Sequence, residues 1–70
     1  MIRIPVISTV IASVGYDPAS FQLEIEFHSG KVYNYFNIPL AIYEGLMEAE
    51  SQGSYFCDKI RSEGYFERVE

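Results

Sequence analysis

Side chains able to do covalent or acid–base chemistry are scarce in this chain. There is one histidine, His28, and one cysteine, Cys57. His28 has no nucleophile at a motif spacing and falls where a strand reaches its turn, so it reads as a solvated turn residue. Cys57 falls in the first turn of an expected helix, a position that activates some cysteines. The plainer reading is a small buried or half-buried thiol beside Phe56. Glu24 and Glu26 share one face of a strand and look like a carboxylate pair. That face should see water, however, and nothing desolvates one member of the pair as acid–base work requires. The glycines form no phosphate loop, and no dinucleotide fingerprint or calcium loop is present. A lone histidine and a lone cysteine do not make a four-ligand zinc site. The residues therefore predict a protein that is not an enzyme and has no metal or cofactor.

Binding chemistry has better material. Tyr33 and Tyr35 alternate with Asn34 and share a strand face, where two rings could stack on bases as sheet-based RNA binders do. The competing reading places both rings in the core with their hydroxyls at its edge. Lys59, Arg61 and Arg68 gather near the C-terminus, and Lys31 at a hairpin tip would enlarge that patch. Arg61 is the strongest candidate for a phosphate or carboxylate contact, because its planar fork binds two oxygens at once. Tyr33, Tyr35, Lys59 and Arg61 are the candidate ligand-binding residues.

The elements that position them follow from periodicity. Phe21, Leu23, Ile25 and Phe27 alternate with Gln22, Glu24, Glu26 and His28, the pattern of a half-buried strand. Ser8 to Tyr16 predicts a preceding strand, with Val10, Ala12, Val14 and Tyr16 on one face and Ile11 and Ser13 on the other. Asp17-Pro18 breaks it. A two-residue turn at Ser29-Gly30 would place Asn34 on the apolar face. A three-residue turn, with Gly30 left-handed in a bulge, pairs Ile25 with Tyr33 and Leu23 with Tyr35. The second register gives a coherent apolar face and is the one expected.

Pro39 suits a first helical position, with Asn37 upstream as the cap. Ile42, Tyr43, Leu46 and Met47 recur at helical spacing up to about Glu50. Gly45 would permit close approach of the helix to the sheet. Gly53 ends that helix, and Ser54 caps a short second one over Tyr55 to Ser62, closed at Gly64. Tyr65 to Val69 reads as an extended tail or short edge strand, and Met1 to Pro5 as a ragged lead-in. The fold class is α+β: a three-stranded antiparallel β-meander followed by two helices packed on one face, in a single domain over 1–70.

Composition bounds the rest. Seventy residues with one cysteine leave a small core without a disulfide, so a homo-oligomer is expected as a source of stability. The first strand, apolar on both faces, is the expected seam. Ten acidic against five basic residues give a formal charge of −5, which repels phosphate backbones at long range. Salt screens that repulsion over about 8 Å, so a local basic patch still works. The apolar runs are too short for a membrane span and no signal peptide is read, so a cytoplasmic location is expected.

The chain resembles the KTSC domain, found at the C-terminus of some lysyl-tRNA synthetases and as stand-alone bacterial and phage proteins. The matching residues are Ile11, Gly15-Tyr16-Asp17, Phe27 to Gly30, Tyr33-Asn34-Tyr35, Ile38-Pro39 and Tyr43. They continue through Ala49, Ser51, Gly53, Tyr55-Phe56, Ile60-Arg61 and Tyr65. The pattern departs at Cys57, where the family has Asn. The resemblance implies a small binding module whose partner is RNA or a nucleotide. The alternative is an acidic, self-associating protein that docks on a protein partner, for example as a phage-type inhibitor.

Overall fold

The computed structural model describes residues 2–61 with side chains and the backbone of 65–68. The centre is the expected antiparallel meander: β2 (Ile11–Asp17), β3 (Gln22–Phe27) and β4 (Val32–Phe36). Two short strands extend it, β1 (Ile4–Pro5) beside β2 and β5 (Tyr65–Arg68) beside β4, giving the order β1-β2-β3-β4-β5. The lead-in is thus partly an edge strand, and the tail strand is present. Helix α1 (Leu40–Glu48), the single turn α2 (Gln52–Tyr55) and a π-helical turn (Phe56–Ile60) come after β4. Leu46, Phe56 and Ile60 pack against Ile11, Val14, Leu23, Ile25 and Tyr35 of the sheet. The expected end of the second helix at Ser62 to Gly64 lies outside the described residues, as does Val69.

The β3–β4 hairpin adopts the bulged register. Ile25 pairs with Tyr33 and Leu23 with Tyr35, and Gly30 has φ +94°. Phe27 N–H donates to Lys31 C=O at 2.9 Å and Gly30 N–H to Phe27 C=O at 2.9 Å, closing a three-residue loop. This register turns Tyr33 and Tyr35 toward the helices.

The first strand differs from expectation in extent and in parity. Ser8 Oγ accepts from the N–H of both Val10 and Ile11 at 3.2 Å, a local turn that competes with the ladder. The strand therefore begins at Ile11. A bulge between Ile11 and Ser13 then shifts the register, and the extra residue changes which side chains face inward. Ile11 joins Val14 in the core, both fully buried, while Val10 is exposed.

Phe21 is also outside its expected strand. Asp17 accepts from Ala19 N–H and Ser20 Oγ, both at 3.0 Å, and Phe21 takes φ +58°. The strand starts one residue later, leaving Phe21 exposed. Asn37, at φ +62°, breaks β4 in the left-handed region that Asn tolerates better than most residues. It does not cap α1; Pro39 holds the cap position without a side-chain bond. Buried Ile38 locks the crossover instead. Its N–H donates to Phe21 C=O at 2.9 Å, and its C=O accepts from Tyr16 Oη. The Tyr16 ring stacks on Tyr43, centroids 4.6 Å apart.

The second helix begins earlier than expected. Ser51 is its cap, accepting from Ser54 N–H at 3.4 Å, so Gly53 lies inside it. A side chain at Gly53 would meet Val10 Cγ2 at 3.3 Å; the glycine lets α2 approach the 8–10 loop. Gly45 admits Tyr55 rather than the sheet: a Cβ there would fall on Tyr55 Oη and lie 2.7 Å from Cζ.

Candidate functional site

The hairpin tip, the 8–10 loop and the π-helical turn enclose an open groove of about 710 Å³. Its floor is aromatic: Phe27 from β3, Tyr33 and Tyr35 from β4, and Phe56 from the π-helical turn. The rings lock together edge to face. Phe27 meets Tyr33 at 5.8 Å and 76°, and Phe56 at 5.4 Å and 70°. Tyr35 meets Phe56 at 5.3 Å and 75°. Such pairs stabilise beyond their buried area and hold the floor rigid. Tyr35 and Phe56 are buried, whereas Phe27 and Tyr33 are half-buried. Two stacked tyrosines are therefore not offered to a ligand; Tyr33 and Phe27 supply the accessible rings.

The walls carry the charge. Lys31 at the hairpin tip and Arg61 just after the π-helical turn line the groove, and no carboxylate lies among its described lining residues. Arg61 reaches this side through the wide turn, in which its N–H donates to Phe56 C=O at 2.9 Å. An extra residue in the turn rotates the side chains after it relative to an α-helix. Lys59 is exposed and does not line the groove. Arg68 stands opposite Tyr33 in the β4–β5 ladder. Of the four candidates, Tyr33, Tyr35 and Arg61 come together, and Lys31 takes the place expected for Lys59.

The field of Arg61 reaches the floor. Burial pushes the Tyr35 phenol up to about 12, nearby Tyr33 adds to the rise, and the Arg61 guanidinium opposes it. Cys57 is exposed on the groove wall, not buried beside Phe56 as the plainer sequence reading has it. His28 is exposed yet engaged: its N–H donates to Val10 C=O at 3.0 Å and Nε2 to Ser8 C=O at 2.8 Å. It ties the hairpin tip to the 8–10 loop and so sets the groove width. Glu24 and Glu26 lie on the other face of the sheet. Glu24 is 3.5 Å from Arg3, and Glu26 accepts from Ser13 Oγ at 2.9 Å.

Phe27 and Phe56 are floor residues that the sequence reading does not name as candidates. Alternation along β3 puts Phe27 on the apolar face, but only the closing of the hairpin on the π-helical turn brings Phe56 beside it as a floor. A second groove lies behind the wall formed by Thr9, Val10 and Cys57, and it is lined by Glu50 and Asp58 without a cation among its described residues. Among the described residues no three His, Cys, Asp or Glu gather as metal ligands. No helix among them is long and apolar enough to cross a membrane.

The KTSC domain family model matches residues 7–65. A protein of Stutzerimonas stutzeri is 37% identical over 65 residues, which is 93% of this chain and 92% of that protein. A lysine–tRNA ligase of Nostoc sp. is 37% identical over 59 residues, 84% of this chain but 10% of the ligase. The crystal structure of a KTSC domain protein from Yersinia pestis superposes with a TM-score of 0.93 at 34% identity, covering 97% of this chain and 96% of that one.

Proposed function

The chain belongs to the KTSC domain family, and from that premise we propose that it is a small non-enzymatic binding module whose aromatic groove takes RNA or a nucleotide. One observation carries the reading. On a chain of formal charge −5, the groove reverses the local sign, with Lys31 and Arg61 on walls free of described carboxylates. Aromatic rings beneath cations are what a base with its phosphate requires. The lysine–tRNA ligase that carries a similar segment agrees with RNA as the source of that ligand. The test is fluorescence anisotropy with a labelled single-stranded RNA. Arg61→Ala should weaken binding about tenfold or more, the scale of a charge-assisted contact, and Lys59→Ala by less than about twofold, the scale of an exposed charge. Equal losses from both substitutions would show general electrostatics and sink the groove.

A second reading, self-association, is favoured by a different observation. Ile2, Ile4 and Ile7 are exposed near the β1 edge, Ile7 completely so. Three large apolar side chains exposed within six residues of one another give a partner material to bury.

A further inference from the structure

Resting on that reading of the groove, we propose that its occupant is a single nucleotide unit and not a tract of RNA: one base on the half-buried rings and one phosphate between Lys31 and Arg61.

Size and ring geometry set the first limit. A groove of about 710 Å³ falls within the usual range for small-ligand sites. Tyr35 and Phe56 are spent in the core, and the two half-buried rings, Phe27 and Tyr33, stand at 76° to each other. A base lying flat on one ring meets the other edge-on. Successive bases that stay stacked on each other cannot both lie flat there, so the floor suits one.

Charge sets the second limit. Binding a strand means neutralising phosphates in a line. Beyond the wall of Thr9, Val10 and Cys57, the adjoining groove presents Glu50 and Asp58. A chain leaving the cationic groove on that side would carry its next phosphate toward carboxylates. The free nucleotide and the terminal nucleotide of an RNA share this chemistry, so the groove accepts either.

The full chain is titrated with adenosine monophosphate, a dinucleotide and a longer single strand, each at two salt concentrations. A single-unit groove gives affinities within about threefold across the three, shallow salt dependence for all, and loss with Arg61→Ala that Arg61→Lys partly restores. Competition by the longer strand only when its terminal phosphate is present identifies a chain end as the source. Equal competition by the free nucleotide and by a strand with a blocked end identifies recognition of an internal nucleotide and overturns the charge limit, and with it the restriction to a free or terminal unit. Affinity that climbs with length, with a salt slope climbing in step, also overturns it while leaving nucleic-acid binding intact. Failure of all three probes to bind overturns the proposed function itself.

Discussion

Arg61 and Tyr35 are coupled through the field one places on the other, and that coupling is measurable without a ligand. The Tyr35 phenol stands at about 12, and Arg61 holds it below where burial alone would put it. Removing the guanidinium takes away a charge that favours phenolate, so Arg61→Ala should raise the Tyr35 value further in an ultraviolet titration. An unchanged titration would place Arg61 away from the groove floor. The same phenol links stability to pH. Its folded value lies above the unfolded value of about 10, so the folded state holds the proton more tightly. Its contribution is full below about pH 10 and is lost as pH rises toward about 12. Denaturant melts across that window should show a fall that Tyr35→Phe reduces. Tyr16, raised by burial and then by Asp17, should leave a smaller fall in the same direction.

Gly45 is a second case in which one residue has two opposed effects. Replacing glycine with alanine in a helix ordinarily stabilises it by about 0.5–1 kcal/mol. Here the new methyl would fall on the ring of Tyr55 and force it from its seat over α1. The overpacking cost, about 1–3 kcal/mol, should win, so Gly45→Ala melts lower than the parent. In a Tyr55→Ala background the sign should reverse. A cycle showing no coupling would mean that Tyr55 does not sit over Gly45.

At the scale of elements, the hairpin was the most legible part of the chain, and the reason is physical. Alternation in β3 and a glycine at the turn leave two registers, and only one buries a consistent set of side chains. Gly30→Ala should therefore cost about 1–2 kcal/mol. That cost is conformational alone, because nothing lies within 4 Å of the added methyl. Leu46, fully buried on α1, should cost about 2–5 kcal/mol on truncation to alanine; melts within a degree or two of the parent would remove it from the core. The bulge in β2 was illegible, since one extra residue leaves the alternation of Val10, Ala12 and Val14 intact while exchanging its faces. The π-helical turn was equally silent, because nothing in Phe56 to Ile60 distinguishes a wide turn from an α-helical one. That turn is what brings Arg61, and not Lys59, to the tyrosines, so the groove's composition could be read only in part.

At the scale of the whole molecule, association is the open physical question, and the structure moves the expected seam. The first long strand cannot supply it, because β2 lies between β1 and β3. The edge on that side of the sheet is β1. Val6 N–H donates to Ala12 C=O at 3.1 Å, and alternation along the strand then turns Pro5 outward. With no N–H there, the edge is a poor template for another strand. What a partner would cover is the exposed isoleucines of the first segment, Ile2, Ile4 and Ile7. We therefore expect a two-fold dimer joined by side-chain packing beside β1, the commonest closed symmetry, and not by a shared ladder. Sedimentation at micromolar protein should show it, with a melting temperature that rises with concentration. Ile2→Lys, at a residue 88% exposed, should convert it to monomer without disturbing the fold. A parent that sediments as a monomer, and melts at one temperature at every concentration, would leave the isoleucines uncovered and the dimer refuted.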